Sequence, residues 1–219
     1  MTKCSIFSAI GIAALQSCLA CSSNDNNAPM AGAGGNAGIA DASMGGGNGL
    51  AGASSSAAPS DGGGLFTLAA GLSDPEMLNV LEVTSASEVR QGRIAEGKAQ
   101  TAPVRAFASK MVGDYTIVGY SAAATANSMG MTPSSSEAAS MATRLGDVVT
   151  QSMTAMPNGV EFDRKYMDLQ IDSHNGMREV VERMLANADT VPVRTLLAGT
   201  LEAIQRDLDE AMLTRLTLK

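Results

Sequence analysis

Tryptophan is missing from this sequence of 219 residues, and tyrosine (3) and phenylalanine (4) are scarce. A β-sandwich built on aromatic and β-branched pairs is a poor fit to that supply, whereas 14 methionines beside leucine, valine and alanine suit a helical core. Histidine occurs once, at His174, and no cysteine follows Cys21. Beyond that point neither a disulfide framework nor a cysteine metal site is available, and with no Gly-x-Ser-x-Gly elbow a nucleophilic triad has too few members. Basic residues are outnumbered, 15 Lys and Arg against 22 Asp and Glu, and they are scattered singly. No stripe exists to neutralise phosphates, so nucleic acid is not an expected partner. Gly-rich stretches lack a following Gly-Lys-Ser/Thr and form no phosphate loop. No catalytic motif is present, and the expectation is that the protein is not an enzyme.

What is present begins with an address. Lys3 precedes an apolar run from Ile6 to Leu15, too short for a mature membrane helix and the right length for a signal peptide. All three cysteines, Cys4, Cys18 and Cys21, lie at or near this segment. Leu15-Gln16-Ser17-Cys18 resembles a bacterial lipobox, with an apolar residue three before the cysteine and a small one just before it; Cys18-Leu19-Ala20-Cys21 matches less well at its first position. Residues 1–20 are therefore read as a signal peptide with lipidation at Cys18, Cys21 being the alternative. The expected setting is the cell envelope, on the periplasmic side of the outer membrane or at the cell surface, with the membrane as partner through the lipid. Residues 21–72 are mostly Asn, Gly, Ala and Ser, cannot bury enough apolar surface to offset their ordering entropy, and read as a disordered tether.

From residue 73 to 219 the pattern is helical. Ser73-Asp74-Pro75-Glu76 supplies a cap, a proline that the first turn tolerates and an acid near the positive helix end, opening a helix to about Gln100. Thr101-Ala102-Pro103 stops it and starts a second, with apolar spacing through Val104, Phe107, Met111, Tyr115, Val118 and Ala122. Gly130 to Pro133 breaks the pattern; Ser134-Ser135-Ser136-Glu137 then opens a shorter helix to about Met156, read as part of a crossover. A third long helix follows Pro157-Asn158-Gly159, and a fourth runs from Val191-Pro192 to Leu218. Four helices with the middle pair joined by a long connection make an all-α, ferritin-like four-helix bundle with a short extra helix in the crossover.

Several polar residues fall on apolar faces. At about 100° per residue, Glu88 lies in the stripe of Met77, Leu81, Ala95 and Ala99; Tyr115 lies between Met111 and Val118, Asp207 beside Ile204 and Ala211, and His174 at the edge of the arc holding Val181 and Leu185. Antiparallel packing is expected to bring Glu88, Tyr115, His174 and Asp207 together at mid-bundle, with Asp163 and Gln170 on the face of His174. One reading is a metal site of Glu88, His174 and Asp207 for iron, manganese or zinc, backed by Tyr115, Asp163 and Gln170. The other is a buried hydrogen-bond network that fixes helix register, with no cofactor. A di-iron pattern asks for Glu-x-x-His twice, and the residue three before His174 is Ile171.

Glu88-Val89, the run Phe107 to Thr116, and Phe162-Asp163-Arg164-Lys165-Tyr166 followed by Gln170 and His174 resemble the exported bacterial family called domain of unknown function 4142, over about Leu78 to Leu213. The resemblance implies a ferritin-like fold and a periplasmic or outer-membrane setting, without an established activity. It also implies Asp-His where this chain has Asp114-Tyr115, and a histidine where it has Asp207. The expected protein is thus a divergent member: a tethered envelope lipoprotein acting as a non-catalytic binding or structural module, or alternatively a metal-binding or oxidative-stress protein.

Overall fold

A computed structural model describes residues 64–218, which are helical almost throughout and contain no strand. The expected leader, both lipidation candidates and most of the tether lie outside the described residues. The elements are α1 (Leu65–Leu68), a single 3-10 turn (Ala69–Gly71), α2 (Asp74–Lys98), α3 (Ala102–Ser128), α4 (Glu137–Ala155), α5 (Val160–Asn187) and α6 (Val191–Thr217). The four long helices and the crossover helix fall within a few residues of their expected limits. The folded part, however, begins earlier than residue 73: Ala69 is buried, and Leu65, Leu68 and Leu72 pack against the core. Gly-rich sequence upstream hides this turn, because four leucines and alanines are too few to show a helical period.

Each long helix ends for a local reason. Ser73 and Glu76 form a capping box at α2. Pro103 and Pro192 sit in the first turns of α3 and α6, where a missing N–H costs nothing. α3 closes with Gly130 at φ 63°, while Met131 N–H donates to Ala126 O and Gly130 N–H to Asn127 O, satisfying carbonyls left open at the helix end. Gly159, at φ 141°, makes the turn into α5 that a side chain would resist.

Contacts along the helices fix their directions. Ser87 of α2 meets Gly146 of α4, and Gly92 of α2 faces Val112 of α3. Asp74 and Thr190 bring the starts of α2 and α6 together, whereas Gln100 with Asp163, Arg215 with Asp168, and Met129 with Thr190 each set the end of one helix beside the start of another. Thus α2 and α6 run one way and α3 and α5 the other, so the step from α3 to α5 joins parallel helices and needs the long connection that carries α4.

The two ends of the bundle repeat each other. Asp74, in the first turn of α2, accepts from the backbone N–H groups of Asp189 and Thr190 at 2.9 and 3.0 Å, where α6 begins. Asp163, in the first turn of α5, accepts from Gln100 and Thr101 N–H at 2.9 and 2.8 Å, where α3 begins. Arg105 donates to the carbonyls of Ala99 and Gln100, and Arg194 to those of Ala188 and Asp189. These residues stand at one constant offset in two copies of an Ala-x-Thr-x-Pro-Val-Arg segment, Ala99 to Arg105 and Ala188 to Arg194. The bundle is therefore two helical hairpins, α2–α3 and α5–α6, each supplying the carboxylate that holds the turn of the other.

Candidate functional site

Two apolar clusters fill the bundle. One holds Met77, Leu78, Val181, Met184, Leu197 and Ile204; the other holds Phe107, Met111, Met153, Phe162, Tyr166 and Met167. Between them lies a belt of buried polar side chains: Glu88 and Gln91 from α2, Tyr115 from α3, Gln170 and His174 from α5, and Asp207 from α6. The expectation that Glu88, Tyr115, Gln170, His174 and Asp207 point inward is met. Asp163 is also buried but stands at the bundle's end, where it caps the turn into α3, and is not part of the belt. It lies in the first turn of its helix, a height that face alone does not reveal.

The belt divides in two. On the α2–α5 seam, Glu88 accepts from Gln170 Nε2 at 3.2 Å and from the Ser173 hydroxyl at 2.9 Å, so both its oxygens are engaged. The same Gln170 amide reaches Gln91 Oε1 at 3.4 Å, and Gln91 donates in turn to Ser87 Oγ at 3.0 Å. Gln170 Oε1 and the Tyr166 hydroxyl are buried without a partner.

Where α3, α5 and α6 meet, His174 is wholly buried, with Nδ1 2.8 Å from the Gln170 carbonyl. A carbonyl can only accept, so Nδ1 carries a hydrogen, and in the neutral imidazole Nε2 then presents its lone pair. The Tyr115 hydroxyl donates to that lone pair at 3.2 Å, its ring edge-on to the imidazole. Asp207 Oδ2 lies 4.0 Å from the same Nε2 and has no hydrogen-bond partner, as expected when both facing atoms are acceptors. Its other oxygen accepts from the Lys110 ammonium, which also pairs with Asp114 at 2.9 Å and Glu210 at 3.5 Å.

Electrostatics follow this arrangement. Burial pushes the Asp207 carboxyl above its usual range, and Lys110 pulls it part of the way back. Partial burial alone would lower the Lys110 pKa; hydrogen bonds to Asp207 and Asp114 outweigh that and hold it above the ordinary lysine range. Burial, reinforced by the charges of Glu88 and Asp207, pushes the Tyr115 phenol well up, so it remains a donor to His174 throughout neutral pH. Tyr166 is pushed up in the same way by burial and then by Glu88.

The expected trio of Glu88, His174 and Asp207 is thus split. Among the described residues no three His, Cys, Asp or Glu side chains converge as a metal-ligand set. Glu88 spends its oxygens on Gln170 and Ser173, and Lys110 already supplies the positive charge beside Asp207. In this arrangement the three residues are committed to other partners. Five participants are not singled out by helical spacing: Lys110, Gln91, Ser87, Ser173 and Glu210. Lys110 carried a signal, since Asp114 lies one helical turn away on the same face.

Among the described residues no helix is long and apolar enough to cross a membrane. No curated protein and no solved structure matches the chain. A family model described as Domain of unknown function (DUF4142) matches residues 66–213, from α1 through most of α6 and across the whole belt. The chain belongs to this family.

Proposed function

We propose that the protein is a lipid-anchored module of the bacterial cell envelope, a ferritin-like bundle joined to its anchor by a Gly-, Ala-, Ser- and Asn-rich tether, that binds a partner or contributes structure and catalyses no reaction. The observation that carries this reading is the belt itself. Most of its donors and acceptors are spent on one another across α2, α3, α5 and α6, in pairs that set helix register. The ferritin-like assignment is supported by the helix directions and by the parallel crossover that carries α4. Anchoring at Cys18 is supported by the lipobox-like Leu15-Gln16-Ser17-Cys18, with Cys21 as the alternative.

The test is metal content and thermal stability of the full chain, purified without chelator and then titrated with iron, manganese and zinc, beside His174→Ala. The expected outcome is no stoichiometric metal and no rise in melting temperature with any of the three. Stoichiometric metal that stabilises the protein and is lost in His174→Ala would instead establish the metal-binding or oxidative-stress reading, with Glu88, His174 and Asp207 rearranging around the ion.

A further inference from the structure

Behind the Tyr115 ring the first apolar cluster leaves a void. It has a volume of about 30 Å³, is walled by α2, α3, α5 and α6, and is completed by Leu65 of α1. Val80, Leu81, Val181, Met184 and Ile204 form most of its surface. Thr84, Ser85 and Thr200 also border it, and the Thr200 hydroxyl donates to Leu196 O at 2.9 Å in its own helix. The wall is almost wholly hydrocarbon.

Size and lining together select an occupant. A water needs roughly 10–15 Å³ of such space and two to four polar partners. The space is sufficient and the partners are lacking, so water gains nothing by entering. A void lined this way stays dry and takes small apolar molecules instead. An extended hydrocarbon chain is too large. We propose that this cavity is a binding site for one small apolar molecule, of the size of a diatomic gas, lying against the Tyr115 ring and bordered by Leu65.

The entrance follows from the elements around it. Four of the walls are helices of 25 to 28 residues, whereas α1 has 4 residues and no side-chain cap. A helix of one turn has little cooperative stability of its own. Leu65 is only partly buried, and Phe66 beside it is held at the surface by Arg183, whose guanidinium lies 4.0 Å over the ring. Displacing α1 removes one wall while leaving the capping box of α2 intact.

Xenon is the probe. With the full chain labelled at its methyl groups, xenon pressure should shift the resonances of Val80, Leu81, Val181 and Ile204 along a saturable curve, while Leu216, exposed at the far end of α6, stays unmoved. Val181→Leu fills the cavity and should abolish the saturable shifts; Val181→Ala enlarges it from its buried side and should strengthen them. Absent or non-saturating shifts in the parent protein would overturn the proposal, as would equal shifts in a folded Val181→Leu variant. Should Val181→Leu fail to fold, Val181→Ala decides alone: a response no stronger than that of the parent protein overturns it.

Discussion

Single atoms decide much of this packing. Gly146 lets α4 settle on α2, since a Cβ there would lie 2.8 Å from Ser87 Cβ. Ser87 is buried and tied to Gln91, so it cannot retreat. Gly146→Ala should cost about 1–3 kcal/mol by overpacking, read as a lower urea midpoint with an unchanged slope. Gly92→Ala should behave alike, because its Cβ would meet Val112 Cγ2 at 2.8 Å and the Ala108 carbonyl at 3.0 Å. At the start of α2, Ser73→Ala should remove about 1 kcal/mol. Hydrogen bonds from Ser73 hold the Glu76 carboxyl below its usual value of 4.5. A depressed folded pKa means stability that is present above 4.5 and lost as pH falls through the folded value; because Glu76 is partly exposed and screened by solvent, the gap between parent and Glu76→Gln should be small at pH 7 and close in acid. Inward-pointing residues such as Glu88, His174 and Asp207 were legible from helical spacing, which reports face. Their partners were not, because a hydrogen bond depends on height along two helices: Asp163 shares a face with His174 yet serves the bundle's end, and Lys110 reaches Asp207 from a solvent-facing stem.

At the scale of elements, the long helices were legible because each is bounded by proline, glycine or a capping residue and carries an apolar stripe. α1 was not, being a single turn stabilised by docking rather than by its own pattern. The repeat of hairpins also escaped notice, since apart from the two Ala-x-Thr-x-Pro-Val-Arg segments corresponding positions hold different side chains, such as Ser85 against His174 and Glu88 against Met177. Yet the repeat governs stability. Asp74→Ala strands the amides of Asp189 and Thr190, and Asp163→Ala those of Gln100 and Thr101. Each stranded amide should cost about 1–3 kcal/mol. The two variants should therefore lower the melting temperature by similar amounts, although they lie at opposite ends of the bundle. A loss confined to one of them would show that the ends are not equivalent.

For the whole molecule, two tests address address and integrity. Metabolic labelling with palmitate should mark the protein at one site, and Cys18→Ser should abolish the label while Cys21→Ser keeps it; the reverse would move the anchor to Cys21. Burial raises the phenols of Tyr115 and Tyr166 well above 10, so the unfolded chain releases protons there before the folded one does. Stability is thus intact below pH 10 and falls as pH rises beyond it, and ultraviolet titration should show these two phenols ionising only as the helical signal collapses. The reciprocal aspartates carry one more consequence. A hairpin that folds by itself lacks the carboxylate for its own turn, and holds out an Asp with nothing to bind. Neither half is then a stable stopping point, and unfolding should be a single all-or-none event without a half-bundle intermediate. The crossover from Met129 to Gly159 is long, and an opened chain needs only some α5–α6 hairpin, not necessarily its own, to satisfy it. At high concentration after partial denaturation this protein should exchange hairpins between copies, giving dimers in which every turn is held by a neighbour's aspartate.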